Sequence, residues 1–125
     1  MKDISILKLV NYHLAFLWIY QGLFPKLLFL NADEIVIWQW MGLSYRHAIW
    51  AGQCSGIIEI IFGLLFIFMP TKLLHGLSIF GLFSLFVLVA IVMPDSLVQA
   101  FNPVIMNVAM ISLSLIYLKI TLNPQ

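Results

Sequence analysis

Glu59 stands inside an apolar stretch running from about residue 47 to residue 69, an ionisable group where charge is costly. A carboxyl so placed can hold or pass a proton, which makes Glu59 the candidate catalytic residue. Two amides lie in comparable places. Gln21 comes just before the end of the first apolar stretch, and Asn107 falls about one turn into the last. Either amide could fix a carbonyl oxygen of a bound molecule. Lys26, Asp95 and Asn102 flank the same ends of these stretches and join the candidate binding set, with Lys26 also placed to pair with Glu59 or Asp95. Each residue has a plainer role open to it. Glu59 and the amides suit interhelical hydrogen bonding, Asn102 suits a helix cap, and Lys26 suits snorkelling to lipid headgroups.

His13 and His75 bring a bis-His haem site into view. Both fall near the ends of apolar stretches, where a polar imidazole is cheap, so haem is disfavoured. Cys54 is the sole cysteine, which leaves no intrachain disulfide, redox cysteine pair or thiolate cluster. No metal site is expected.

Helices must carry these groups across a bilayer, and each crossing takes about 20 mostly apolar residues. Four segments qualify, at about residues 8–25, 47–69, 73–93 and 102–120. Pro25, Pro70 and Pro94 fall at the expected ends of the first three, with Pro25 either ending or kinking its helix, because proline lacks the amide donor and crowds the preceding turn. Asn102-Pro103 reads as cap and first helical residue of the fourth. Between the first two spans, Asn31-Ala32-Asp33-Glu34 has capping-box spacing, and the apolar run 35–41 is too short to cross. Its Trp38 and Trp40 favour the headgroup region, so an interfacial helix is expected there, the alternative being a re-entrant piece buried by the bundle.

Gly52, Gly56, Glu59 and Gly63 step by four, three and four, a single stripe of a helix. Small residues at that spacing admit a neighbouring helix and would hide Glu59 from lipid. On the fourth span, Pro103, Asn107, Met110, Ser114 and Thr121 share a face by the same arithmetic. The expected arrangement has Glu59 facing Asn107 across the bundle interior with Gln21 nearby. The other half of the bundle is then nearly plain hydrocarbon. Lys2, Lys8, Lys72 and Lys119 lie on the side of the termini, against Lys26 and Arg46 on the other, which puts both termini in the cytoplasm.

Of the 125 residues, 63% are apolar or aromatic and only 9% are charged, and the mean hydropathy is +1.08. Soluble domains carry about 25% charged residues, so this composition excludes a soluble enzyme and a disordered regulator. A net charge of +1 gives no basic surface for nucleic acid. The expected fold is all-α: a four-transmembrane-helix bundle with a short interfacial helix between the first two spans. It forms a single transmembrane domain over residues 1–125, surrounded by membrane lipids.

Four motifs then stand out in order. They are Trp18-Ile19-Tyr20-Gln21-Gly22-Leu23-Phe24-Pro25-Lys26-Leu27-Leu28, Asp33-Glu34, Gly56-Ile57-Ile58-Glu59 with Gly63, and Phe101-Asn102-Pro103 with Asn107. Together they resemble the DoxX-like family of small four-span membrane proteins. The resemblance implies a compact bundle, a bacterial inner-membrane location and a link to membrane redox chemistry, since relatives include a subunit of a thiosulfate:quinone oxidoreductase. It also adds Tyr20 to the candidate binding residues. On this footing the chain is at most a membrane oxidoreductase subunit. It would bind a quinone or similar lipophile between its helices and work with a redox or periplasmic partner protein, with a homo-oligomer also open. The alternative expectation is a non-catalytic binding, assembly or transport-accessory protein whose polar cluster is structural.

Overall fold

Proline, glycine and capping side chains set where each helix starts and stops. The computed structural model describes residues 2–123. In order, it contains α1 (Lys2–Gly22) running into a wide π-turn (Leu23–Leu28), α2 (Ala32–Trp40), α3 (Tyr45–Phe68), α4 (Lys72–Val92), a 3-10 turn (Pro94–Val98) and α5 (Pro103–Leu122). α3 and α4 each stop two residues before a proline, Pro70 and Pro94, as the crowding of the preceding residue requires. Gly42, at φ +100°, supplies the left-handed residue after α2. Asn31, Thr71 and Asn102 cap α2, α4 and α5, their side-chain oxygens accepting from Asp33, Leu74 and Val104 N–H at 2.9, 3.1 and 2.9 Å.

Pro25 does not end the first helix. Its missing N–H removes one i→i−4 bond, and the chain widens instead, with Phe29 N–H reaching Phe24 O at 2.9 Å. The helix therefore continues past the expected boundary as a π-turn.

α3, α4 and α5 are each long and apolar enough to cross a membrane, and the helix through Leu28 meets that standard together with α2. Asn11, His13 and Gln21 dilute the apolar character of the first helix. Between it and α2 the axis bends by 87°. With the first helix upright, that bend lays α2 along the bilayer plane, the place of an interfacial helix. In the apolar stretch of each of these three helices only 22% of residues are buried within the protein. Side chains such as Phe80 and Phe83 on α4 stay exposed and face lipid.

Internal contacts divide the chain into two units, Ala15–Leu65 and Met1–Leu14 with Phe66–Gln125. In the Ala15–Leu65 unit, α1 and α3 approach backbone to backbone at their glycines. A Cβ added to Gly56 would lie 2.6 Å from the Gly22 carbonyl oxygen, and one added to Gly63 would lie 3.0 Å from that of Ala15. Gly52, Gly56 and Gly63 are all buried, with Ala48 extending their stripe. Trp18 meets Phe62 edge-on at 4.9 Å between ring centroids.

In the other unit, α4 packs along α5. The α5 face bearing Asn107, Met110 and Ser114 is buried, and Val104 and Tyr117 lengthen it; the Pro103 side chain lies outside the described residues. His75, fully buried near the start of α4, lies 2.8 Å by Nε2 from Asn11 Oδ1 and 3.0 Å by Nδ1 from Ser114 Oγ. An amide oxygen only accepts, so Nε2 donates to Asn11 and Nδ1 accepts from the serine hydroxyl. The imidazole also stacks on Tyr117 at 3.7 Å and meets Phe66 edge-on at 4.9 Å. The expectation of a nearly plain hydrocarbon half is therefore overturned. Polar groups from α1, α4 and α5 satisfy one another there, which removes the cost of burying them.

The glycine contact is open to a direct test. Gly56→Ala should lower the unfolding temperature in detergent, because overpacking at a rigid backbone costs about 1–3 kcal/mol. Gly81→Ala adds a methyl that meets nothing within 4 Å, and should leave the transition unchanged or slightly raised. Equal melting behaviour of the two variants would refute the close approach.

Candidate functional site

Lys26 sits within the π-turn and is carried against α3, where Gly56 makes room for its stem. A Cβ on Gly56 would lie 2.9 Å from Lys26 Cβ. From there Nζ donates to Glu59 Oε1 and lies 3.7 Å from Glu34 Oε1. Three elements, the π-turn, α2 and α3, thus bring one ammonium between two carboxyl groups. Side-chain exposure rises from 9% at Lys26 through 15% at Glu59 to 24% at Glu34, so Glu34 is the member nearest to solvent. The second carboxyl oxygen, Glu59 Oε2, is buried with no hydrogen-bond partner among the described residues.

Glu34 reached this place by giving up its expected role. The capping-box spacing aimed its carboxyl back at the N–H of Asn31, but that N–H donates to Pro25 O at 2.8 Å instead. The bond ties the start of α2 to the π-turn and frees Glu34 to turn toward Lys26. Burial pushes the Glu34 carboxyl above its ordinary value of 4.5, outweighing the pull of the Lys26 ammonium, while the Asp33 charge acts in the same direction as burial.

The other candidate residues occupy different settings. Tyr20 is exposed and lies in an aromatic row with Phe16 and Phe24, at 6.0 and 4.8 Å between centroids. Gln21 is half-buried in the last turn of α1. Asp95 is exposed in the 3-10 turn. Asn102 serves as the α5 cap and also donates from Nδ2 to Leu97 O at 2.9 Å, closing the loop before the helix. Asn107 is buried on α5. Glu34 was missed as a site residue because its spacing from Asn31 gave it a complete local explanation. The available signal was its position beside a loop lysine, the one nearby cation able to draw it away.

Such an arrangement belongs to an all-helical integral membrane protein with a buried ionic cluster. The chain is a member of the DoxX-like family, whose model matches residues 15–115 and so takes in Lys26, Glu34 and Glu59. No curated protein and no solved structure matches it.

Removing one partner of a buried pair leaves the other charge uncompensated and costs about 3–5 kcal/mol. Lys26→Met should therefore destabilise strongly, and adding Glu59→Leu should restore most of the loss. A double-mutant cycle on unfolding in detergent measures this coupling; strictly additive losses would mean that the two side chains are energetically independent.

Glu34 makes stability depend on pH in a defined direction. Its folded value lies above its unfolded one, so the folded state holds the proton more tightly. That contribution is complete below the unfolded value and is lost as pH rises through the folded one. The wild-type melting temperature should fall as pH rises above about 4.5, and Glu34→Gln should flatten that slope. An unchanged slope in the variant would remove Glu34 as its source.

Proposed function

We propose that the protein is the membrane subunit of an oxidoreductase system and binds a quinone or similar lipophile beside the Lys26–Glu59 pair. The observation that carries this reading is a buried, paired carboxyl with one bare oxygen, next to an ammonium, in a helix contact surrounded by lipid. These are the groups that a polar head on an apolar tail would need. Lys26 would hold a head-group oxygen and Glu59 would hold or release a proton, with Glu34 exchanging protons at the more exposed edge. Such a carrier supplies two-electron chemistry, and the electrons would pass to or from a redox partner protein on the extracytoplasmic side. Gln21, in the same unit, is a further candidate for contact with the head group. In this reading the chain is a single domain of a bacterial inner membrane with both termini cytoplasmic.

One specific observation favours a second reading. The ion pair lies directly beside the Gly22–Gly56 contact, where it would also serve to lock α1 and α3 together. Gentle purification followed by mass spectrometry of co-extracted lipids separates the two. The redox reading expects quinone with the wild-type protein and its depletion in a Glu59→Gln variant that retains a cooperative unfolding transition. If the wild type carries none and Glu59→Gln merely unfolds more easily, the pair is helix glue.

A further inference from the structure

The bare oxygen of Glu59 makes a statement about ligand chemistry. Lys26 Nζ donates to Glu59 Oε1, and in this reading Glu59 is the ionised partner of that ion pair, whose carboxylate oxygens only accept hydrogen bonds. Oε2 is buried with no donor among the described residues. Leaving a buried acceptor of this kind unmatched is costly, and more so when it is charged. A carbonyl oxygen placed against it would bring two acceptors together. A hydroxyl would not. Its hydrogen can go to Glu59 Oε2 while its oxygen accepts from the Lys26 ammonium, which has three N–H donors to distribute.

The geometry points to a lipophile whose head group carries a hydroxyl, bound with the oxygen on Lys26 Nζ and the hydrogen on Glu59 Oε2. This rests on the quinone-type reading above and sharpens it: with Glu59 ionised and paired, the site favours the reduced, dihydroxy form over the dicarbonyl form. Lys26, Glu34 and Glu59 are the charged groups that meet there from the π-turn, α2 and α3, with Asp33 nearby on α2. Glu34 leaves this preference intact, since at 3.7 Å from Nζ it lies beyond hydrogen-bond distance.

The test uses the full-length protein in detergent and compares one short-tailed benzoquinone with its quinol under anaerobic conditions, by calorimetric titration. The quinol should bind at least about tenfold tighter, equivalent to raising the potential of the bound two-electron couple by about 30 mV. Glu59→Gln, which replaces the bare acceptor with an amide, should abolish the difference. A second comparison needs neither a variant nor redox chemistry: an alkylated phenol should bind, and its methyl ether, which lacks the donor, should bind at least about tenfold more weakly. Quinone binding equal to or tighter than quinol, or ether binding equal to phenol, overturns the hydroxyl preference and leaves the parent reading standing. If none of the four molecules binds, both fall together.

Discussion

An ammonium group inside an apolar helix contact persists only where a carboxylate is held against it, and that one requirement organises the Ala15–Leu65 unit. The carboxylate comes from α3, the ammonium from the turn after α1, and the two helices must nearly touch for the groups to meet. Gly22 and Gly56 allow that approach because neither has a side chain to hold the backbones apart. The π-turn then supplies the rotation that α-helical geometry would deny to Lys26. Desolvation, close packing and an irregular backbone are thus consequences of a single pairing.

The protein holds a second polar centre, and the contrast between them is informative. Around His75 both ring nitrogens are engaged, the ring faces are covered by aromatic neighbours, and the hydroxyl and amide partners are buried with it. A network closed in this way rigidifies and specifies packing. Around Lys26 the accounts do not close: two carboxyls share one cation, and an oxygen is left over. Unfinished polar groups in a low-dielectric setting are where binding and proton handling concentrate. The two centres differ in hydrogen-bond completeness and also in exposure, which is nil at His75 and reaches 24% at the Glu34 side chain.

Local sequence signals carried much of this fold. Pro70 and Pro94 mark helix ends, Asn31 and Asn102 cap helices, and the glycines at 52, 56 and 63 lie on one buried stripe, all readable from spacing. The membrane-embedded, all-helical class followed from composition. What escaped was the choice of distant partners. The partnership of Asn11, His75 and Ser114 was not legible because His75 lies 64 positions from Asn11 and 39 from Ser114 along the chain. Glu34 had a sufficient local role as a capping residue, and only the fold shows that its carboxyl is used elsewhere. Pro25 signals an end or a kink in the first helix, and that signal does not foresee a wider turn absorbing the lost bond.

The π-turn gives the segment around Lys26 a dependence on length as well as on residue type. A helix advances by about 100° with each residue, so the surplus residue housed in the turn acts as a phase offset between α1 and everything that follows it. Shortening that stretch by a single position would swing the lysine about a quarter-circle away from α3 with every side chain still in place. The count of residues between Gly22 and Asn31 is therefore itself a structural parameter, one that a comparison of residue identities alone would overlook.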